Sequence, residues 1–222
     1  MGSFTEMFFN LQTLIEYWPI MLRGLGWTLL LAVIIVPMGL AAGMLIATLN
    51  FLRRRWLTPF LIAYVDFFRA FPPLVLLIFI YNGAPFLGVT LSPFTAVVVA
   101  LTLNSAGYYG EILRAGLASI GRGQMEAARS TGLSRLQALR FIIAPQALRN
   151  VLPELVSNTL ELVKATSLAS VVTLPELLRS ARIVQGMAYN PTPLIAAALI
   201  YFLMLWPLVR LLSRLERRVA SR

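Results

Sequence analysis

"GRGQMEAARSTGLSRLQALRFIIAPQALRN", residues 121–150, places five arginines (Arg122, Arg129, Arg135, Arg140 and Arg149) in the middle of a 222-residue chain that is 59% hydrophobic. Mean hydropathy over the chain is +0.79. Away from this stretch, charge-free runs cover 24–52, 70–110 and 183–209. A bilayer core of roughly 30 Å takes about 20 apolar helical residues, so each run holds at least one crossing. The chain reads as an all-α membrane protein, and the basic stretch as a soluble segment set between its crossings.

Charge placement supports this. A net charge of +10 could serve phosphate binding, but the arginines sit in short segments between apolar runs. That is where the positive-inside rule places them, so a nucleic-acid partner is not expected. The chain has no cysteine and no histidine, which excludes disulfides, thiolate chemistry, histidine-ligated metals and histidine-based triads. The first residues lack a basic region followed by a small-residue cleavage site, so no signal peptide is expected.

Counting outward from the charges gives five spans, at about 25–49, 60–81, 94–113, 151–174 and 193–212, in a single transmembrane domain over 1–222. Phe4, Phe8, Leu11, Ile15 and Trp18 recur at near-helical spacing between Glu6, Gln12 and Glu16, which predicts an interfacial amphipathic helix before the first span. Gly39-x-x-x-Gly43 allows close helix approach within that span. The fourth span carries Glu154, Glu161 and Lys164, and hydropathy alone leaves it open. If it crosses, the triple arginine 53–55, the central stretch and the tail of Arg210, Arg214, Arg217, Arg218 and Arg222 share one side. Five crossings therefore satisfy the charge rule, with the N-terminus outside and the C-terminus cytoplasmic.

Within the central stretch, 124–131 predicts a short helix ended by Gly132, which suits a left-handed position. Ser134-Arg135-Leu136-Gln137 matches a capping box, so a second helix is expected from Arg135, with Leu136, Leu139 and Ile143 on one face. So short a first helix needs docking to persist, because isolated short helices are marginal in water.

The residues also carry a family resemblance. Glu126-Ala127-Ala128, then Gly132, Ile142 and Pro145 resemble the EAA motif of ABC importer permeases, with Ala144-Pro145 where the motif usually has Leu-Pro. Gly123-Gln124, Pro145-Gln146-Ala147-x-Arg149 and Lys164-x-Thr166-Ser167-Leu168 resemble the polar amino acid permease subfamily. So do Gly24-Leu25-x-x-Thr28-Leu29, Phe68-Arg69-x-x-Pro72 and Tyr109-x-Glu111-Ile112-x-Arg114-Ala115-Gly116. The resemblance implies a type I importer permease in the bacterial inner membrane whose loop 115–150 couples to a separate ATPase subunit. It assigns that contact to Gln124, Glu126, Ala127, Ala128 and Gly132. It further implies a second permease subunit, identical or paralogous, and an extracytoplasmic amino-acid-binding protein. ATP and magnesium would be bound by the ATPase partner, leaving this chain no cofactor and no catalytic residue.

Two polar stripes are candidates for a substrate pathway. Asn104, Tyr108 and Glu111 share one face of the third span, while Glu154, Asn158 and Glu161 share one on the fourth, with Ser157 and Lys164 beside it. Intramembrane polar groups face a cavity or a partner helix rather than lipid. Both readings stand for Asn104, Tyr108, Asn158, Glu161 and Lys164. A structural role is the expectation for Glu111, close to Arg114, and a structural pair for Asp66 and Arg69 at i and i+3. Thr166 and Ser167 are expected to disturb the helix by bonding backbone carbonyls. Ala165 stands where the subfamily usually has aspartate. Glu154 and Glu161 favour basic or polar amino acids as substrate.

Two other classes fit less well. An ion-driven carrier usually shows matching repeats, and five spans do not divide into two. An intramembrane enzyme would rest on Lys164-x-x-Ser167 alone. The chain carries no Gly-x-x-x-x-Gly-Lys-Ser/Thr phosphate loop with which to hydrolyse ATP itself.

Overall fold

The computed structural model describes residues 8–52 and 56–220. Phe4, Glu6, the triple arginine 53–55 and Arg222 lie outside the described residues. Those described form helices and turns, with no strand among them. In chain order the helices are α1 (Leu11–Phe51), α2 (Thr58–Ala70), α3 (Pro73–Gly83), α4 (Pro93–Ala118), α5 (Arg122–Ser130), α6 (Arg135–Ala138), α7 (Ala144–Ala165), α8 (Leu177–Ala188) and α9 (Thr192–Ala220).

Several of the expected boundaries change. The interfacial helix and the first span are one continuous helix, α1, of 41 residues that passes through Pro19 and Pro37. At 1.5 Å per residue it runs roughly 60 Å, about twice a hydrocarbon core. The span expected over 60–81 is broken between α2 and α3. Phe71 is extended (φ −85°, ψ 125°), as is Pro72 (φ −61°, ψ 127°). A residue before proline avoids the helical region, and this segment has two prolines in succession, Pro72 and Pro73. Among the described residues, α1, α4 and residues 192–214 of α9 are long and apolar enough to cross a membrane, or four segments if the broken pair counts as one. The charges on α7 keep it outside that set.

The chain packs as two compact units, one of 1–37, 72–101 and 160–209, the other of 38–71, 102–159 and 210–222. In the first, Met21 of α1, Leu177 and Ala181 of α8, and Ala196 and Ala197 of α9 form a buried core. The buried Glu176 starts α8 by accepting from the N–H groups of Leu178 (2.8 Å) and Arg179 (2.7 Å), while the Tyr201 hydroxyl of α9 donates to it at 3.1 Å. Thr28 of α1 takes the Leu177 N–H at 3.2 Å. These bonds give α8 its place.

In the second unit α1 and α4 approach closely at Gly43. A Cβ there would lie 2.5 Å from the Tyr109 Cβ and 2.7 Å from the Gly110 nitrogen. The Gly39-x-x-x-Gly43 pattern therefore does the work its spacing predicts. Tyr109, 1% exposed, hydrogen-bonds Thr159 of α7 at 2.8 Å.

Candidate functional site: a helical joint and two polar stripes

The central stretch folds as its residues predict. α5 ends at Gly132, whose φ of +87° is the left-handed conformation that favours glycine. Ser134 then caps α6: its hydroxyl accepts from the Gln137 N–H at 3.2 Å, and the Gln137 side-chain Oε1 accepts from the Ser134 N–H at 2.8 Å. The second helix differs in one respect. Over Leu139–Ile143 it widens into a π turn before continuing as α7. Pro145 has no N–H to offer one turn back, which suits a local change of register. With that change Leu139 and Ile143 are buried, whereas Leu136, expected on the same face, is 57% exposed.

α5 packs on the π turn through Ala128, which is 6% exposed. Gln124, Glu126 and Ala127 are exposed. The helix thus exposes Gln124, Glu126 and Ala127 and buries Ala128. Arg129 donates to the Leu133 carbonyl at 3.0 Å, bridging the turn.

The stripe on α4 is bonded to α2. A helix carbonyl accepts from the N–H four residues on, so Pro72 and Pro73 leave the carbonyls of Phe68 and Arg69 without their usual donors. The Asn104 amide donates to the Phe68 carbonyl at 2.7 Å, and the Tyr108 hydroxyl to the Arg69 carbonyl at 3.1 Å. Farther along the same face, Glu111 receives two bonds from Arg114 at 2.7 Å each. Arg69 lies 3.9 Å from Glu111 and 5.8 Å from the centre of the Tyr108 ring. The expected Asp66–Arg69 pair is not made. Asp66 instead lines a recess of about 260 Å³ with Glu111 and Arg114.

On α7, Asn158 has a buried amide nitrogen with no hydrogen-bond partner among the described residues. Glu154 is exposed. Glu161 accepts from Lys164 at 2.5 Å, and both side chains are more than half exposed. Thr166 and Ser167 donate to the carbonyls of Val163 (2.7 Å) and Lys164 (2.8 Å), and from Thr166 the α-helix tightens to a 3₁₀ turn. This is the disturbance their hydroxyls predict. Thr166 is wholly buried, so its hydroxyl shapes the turn rather than meeting a solute.

Lys164 and Ser167 open onto a recess of about 490 Å³ shared with Arg182 of α8 and Tyr201 of α9. Leu178, Ala197 and Phe202 supply apolar wall. Two cations and two hydroxyls on such a wall suit a small solute bearing a carboxylate. Arg182 escapes sequence reasoning because α8 was not expected, and Tyr201 because it is a lone hydroxyl within an expected apolar span. The only local signal was that a charge-free run begins directly after Arg182.

Comparison with known proteins places these features in context. A family model described as "Binding-protein-dependent transport system inner membrane component" matches residues 39–221. The "Probable amino-acid ABC transporter permease protein YckA" of Bacillus subtilis is 39% identical over 198 residues, covering 89% of this chain and 88% of its own length. The "Probable glutamine ABC transporter permease protein GlnP" of the same organism is 37% identical, covering 91% of this chain and 95% of its own. A solved structure described as "Crystal structure of an amino acid ABC transporter with histidines" superposes with a TM-score of 0.84 at 36% identity, covering 98% of this chain and 99% of that one.

Proposed function

We propose, since this chain belongs to the family of binding-protein-dependent transport system inner membrane components, that it is the membrane subunit through which an ATP-driven importer moves polar amino acids. The observation that carries this reading is the joint at 122–138: a short exposed helix, a left-handed Gly132 and a capped second helix. A separate ATPase subunit docks on Gln124, Glu126 and Ala127, and an extracytoplasmic binding protein delivers the solute. The chain works beside a second permease subunit. Similarity to proteins whose names give glutamine and histidines supports a polar amino acid as cargo.

The whole chain acts as one permease domain of five crossings, in which α2 and α3 together make the second and α7 with its 3₁₀ turn makes the fourth. The N-terminus is outside, and 114–150 and the C-terminus are cytoplasmic. In this arrangement the Lys164–Arg182 recess opens toward the outer side, where its cations receive the carboxylate of the solute and Glu161 its ammonium or side-chain cation. Asn158 lines the path. Asn104 and Tyr108 hold the broken crossing together.

The test is uptake into proteoliposomes holding this subunit, its ATPase and its binding protein, with a panel of labelled amino acids competing. ATP-dependent accumulation of polar amino acids is expected. Accumulation driven by an ion gradient without ATP would overturn the reading.

A further inference from the structure

We propose that the recess behind α5 is a binding site for the phosphate headgroup of an anionic phospholipid. A cavity of about 770 Å³ lies among the ends of α1 and α4, the helix α5 and the start of α6. Its lining includes Arg114, Arg122, Arg129 and Arg135 against a single acid, Glu126. Arg114 is engaged by Glu111. Arg135 is held in place by a 2.8 Å bond to the Phe51 carbonyl and by stacking 5.6 Å from the Phe51 ring, so it stands fixed at the last turn of a membrane helix. Arg122 is exposed and has no ion pair or hydrogen bond among the described residues. A cluster of guanidinium groups around open volume is suited to a phosphate diester, because arginine presents planar paired donors.

The rest of the lining chooses between a lipid and a soluble anion. Leu117, Ile120, Met125 and Ile143 give the lining apolar wall beside the arginines. A free phosphate gains nothing from such a wall, whereas a lipid places its glycerol and upper acyl carbons there. Basic pockets among membrane helix ends on the cytoplasmic side are sites for anionic headgroups. A lipid seated here would touch α5 from the side opposite Gln124 and Ala127, so bilayer composition would bear directly on the joint. Only the choice of leaflet rests on the proposed topology. Binding is scored without transport, so its failure leaves the importer reading standing.

The experiment is native mass spectrometry of the full chain in detergent, titrated with phosphatidylglycerol or phosphatidylcholine of matched acyl length. Phosphatidylglycerol is expected to remain bound at activation energies that strip phosphatidylcholine. Arg122→Gln should weaken it about fivefold, the effect of roughly one arginine near an anionic surface, and Arg122→Lys should restore part of that loss. Arg140→Gln, which removes an exposed arginine outside the recess, should change nothing. Three results would overturn the proposal. Equal loss in the Arg140 and Arg122 variants would reduce the effect to general attraction. Displacement of lipid by equimolar inorganic phosphate would make the site one for a soluble anion. Release of the lipid when the ATPase subunit is added would make the recess a protein-docking surface.

Discussion

The amide of Asn104 donates to the backbone carbonyl of Phe68 at 2.7 Å, the carbonyl from which Pro72 withholds its donor. One turn along α4, Tyr108 does the same for Arg69 and Pro73. Two side chains at i and i+4 thus meet two carbonyls at j and j+1, and the break between α2 and α3 is closed from outside the pair.

Removing either donor leaves a carbonyl unsatisfied, part-buried at Phe68 and exposed at Arg69. Asn104→Leu is expected to destabilise the purified subunit by about 1–3 kcal/mol. Tyr108→Phe should cost less, about 0.6 kcal/mol, the average for single interhelical bonds in membranes. Denaturation in mixed micelles reads both. A double variant no worse than Asn104→Leu alone would show that the Tyr108 bond carries nothing of its own.

Gly132 stands at φ +87° with open space around it, so substitution there tests conformation and not fit. Gly132→Val should impose about 1–3 kcal/mol of strain on the turn. Uptake and ATPase association should fall while membrane insertion stays normal. Normal uptake in this variant would remove the turn from the coupling path.

Topology can be read with cysteines, because the native chain has none. Phe86, in the turn after α3, is 92% exposed, and Ser130 is exposed at the end of α5. A membrane-impermeant maleimide should label Phe86→Cys in intact cells and Ser130→Cys only after permeabilisation. The reverse pattern would invert the proposed orientation.

Glu161 and Lys164 form an exposed pair, which contributes at most about 1 kcal/mol. Glu161→Gln should therefore leave expression intact. If Glu161 meets a cationic solute, half-saturating concentrations should rise for arginine or lysine and stay the same for glutamine. Equal changes for all three would leave Glu161 without a role in selection.

Glu176 supplies a pH signature. Burial pushes its carboxyl above the ordinary value of 4.5, against the Leu178 and Arg179 N–H groups and the Tyr201 hydroxyl, which favour the ionised form. The folded state therefore holds this proton more tightly than the unfolded one. Its contribution to stability is fully present below 4.5 and is lost as pH rises through the folded pKa. Melting curves of Glu176→Gln should lose that downward slope. An unchanged slope would assign it to another group.

Local chemistry was the most legible part of this sequence. Ser134 with Gln137, Gly132, and the hydroxyls of Thr166 and Ser167 act within four residues of themselves, and each behaves as its type predicts. What escaped depends on distant partners or on continuity. Hydropathy cannot tell one long helix from an interfacial helix followed by a span, so α1 was divided at a point where its backbone does not break. Pro72-Pro73 did announce the break in the second crossing, but an apolar run across them outweighed it. Arg69 was matched to Asp66 by spacing, and the structure gives it Glu111 from another helix. α8 is anchored by Thr28, 149 residues before its partner Leu177, a distance at which local pattern is silent.

The double-proline break also constrains how the chain is made. Asn104 lies 36 residues after Phe68, so the α2–α3 segment is made before its missing donor is. During that interval its exposed carbonyls have only water or the walls of the insertion channel to bond. The α2–α3 segment is therefore expected to stay in the channel until α4 joins it, and the two to enter lipid together. A stalled nascent chain ending before α4 should accordingly crosslink to the channel, and one ending after α4 should crosslink to lipid.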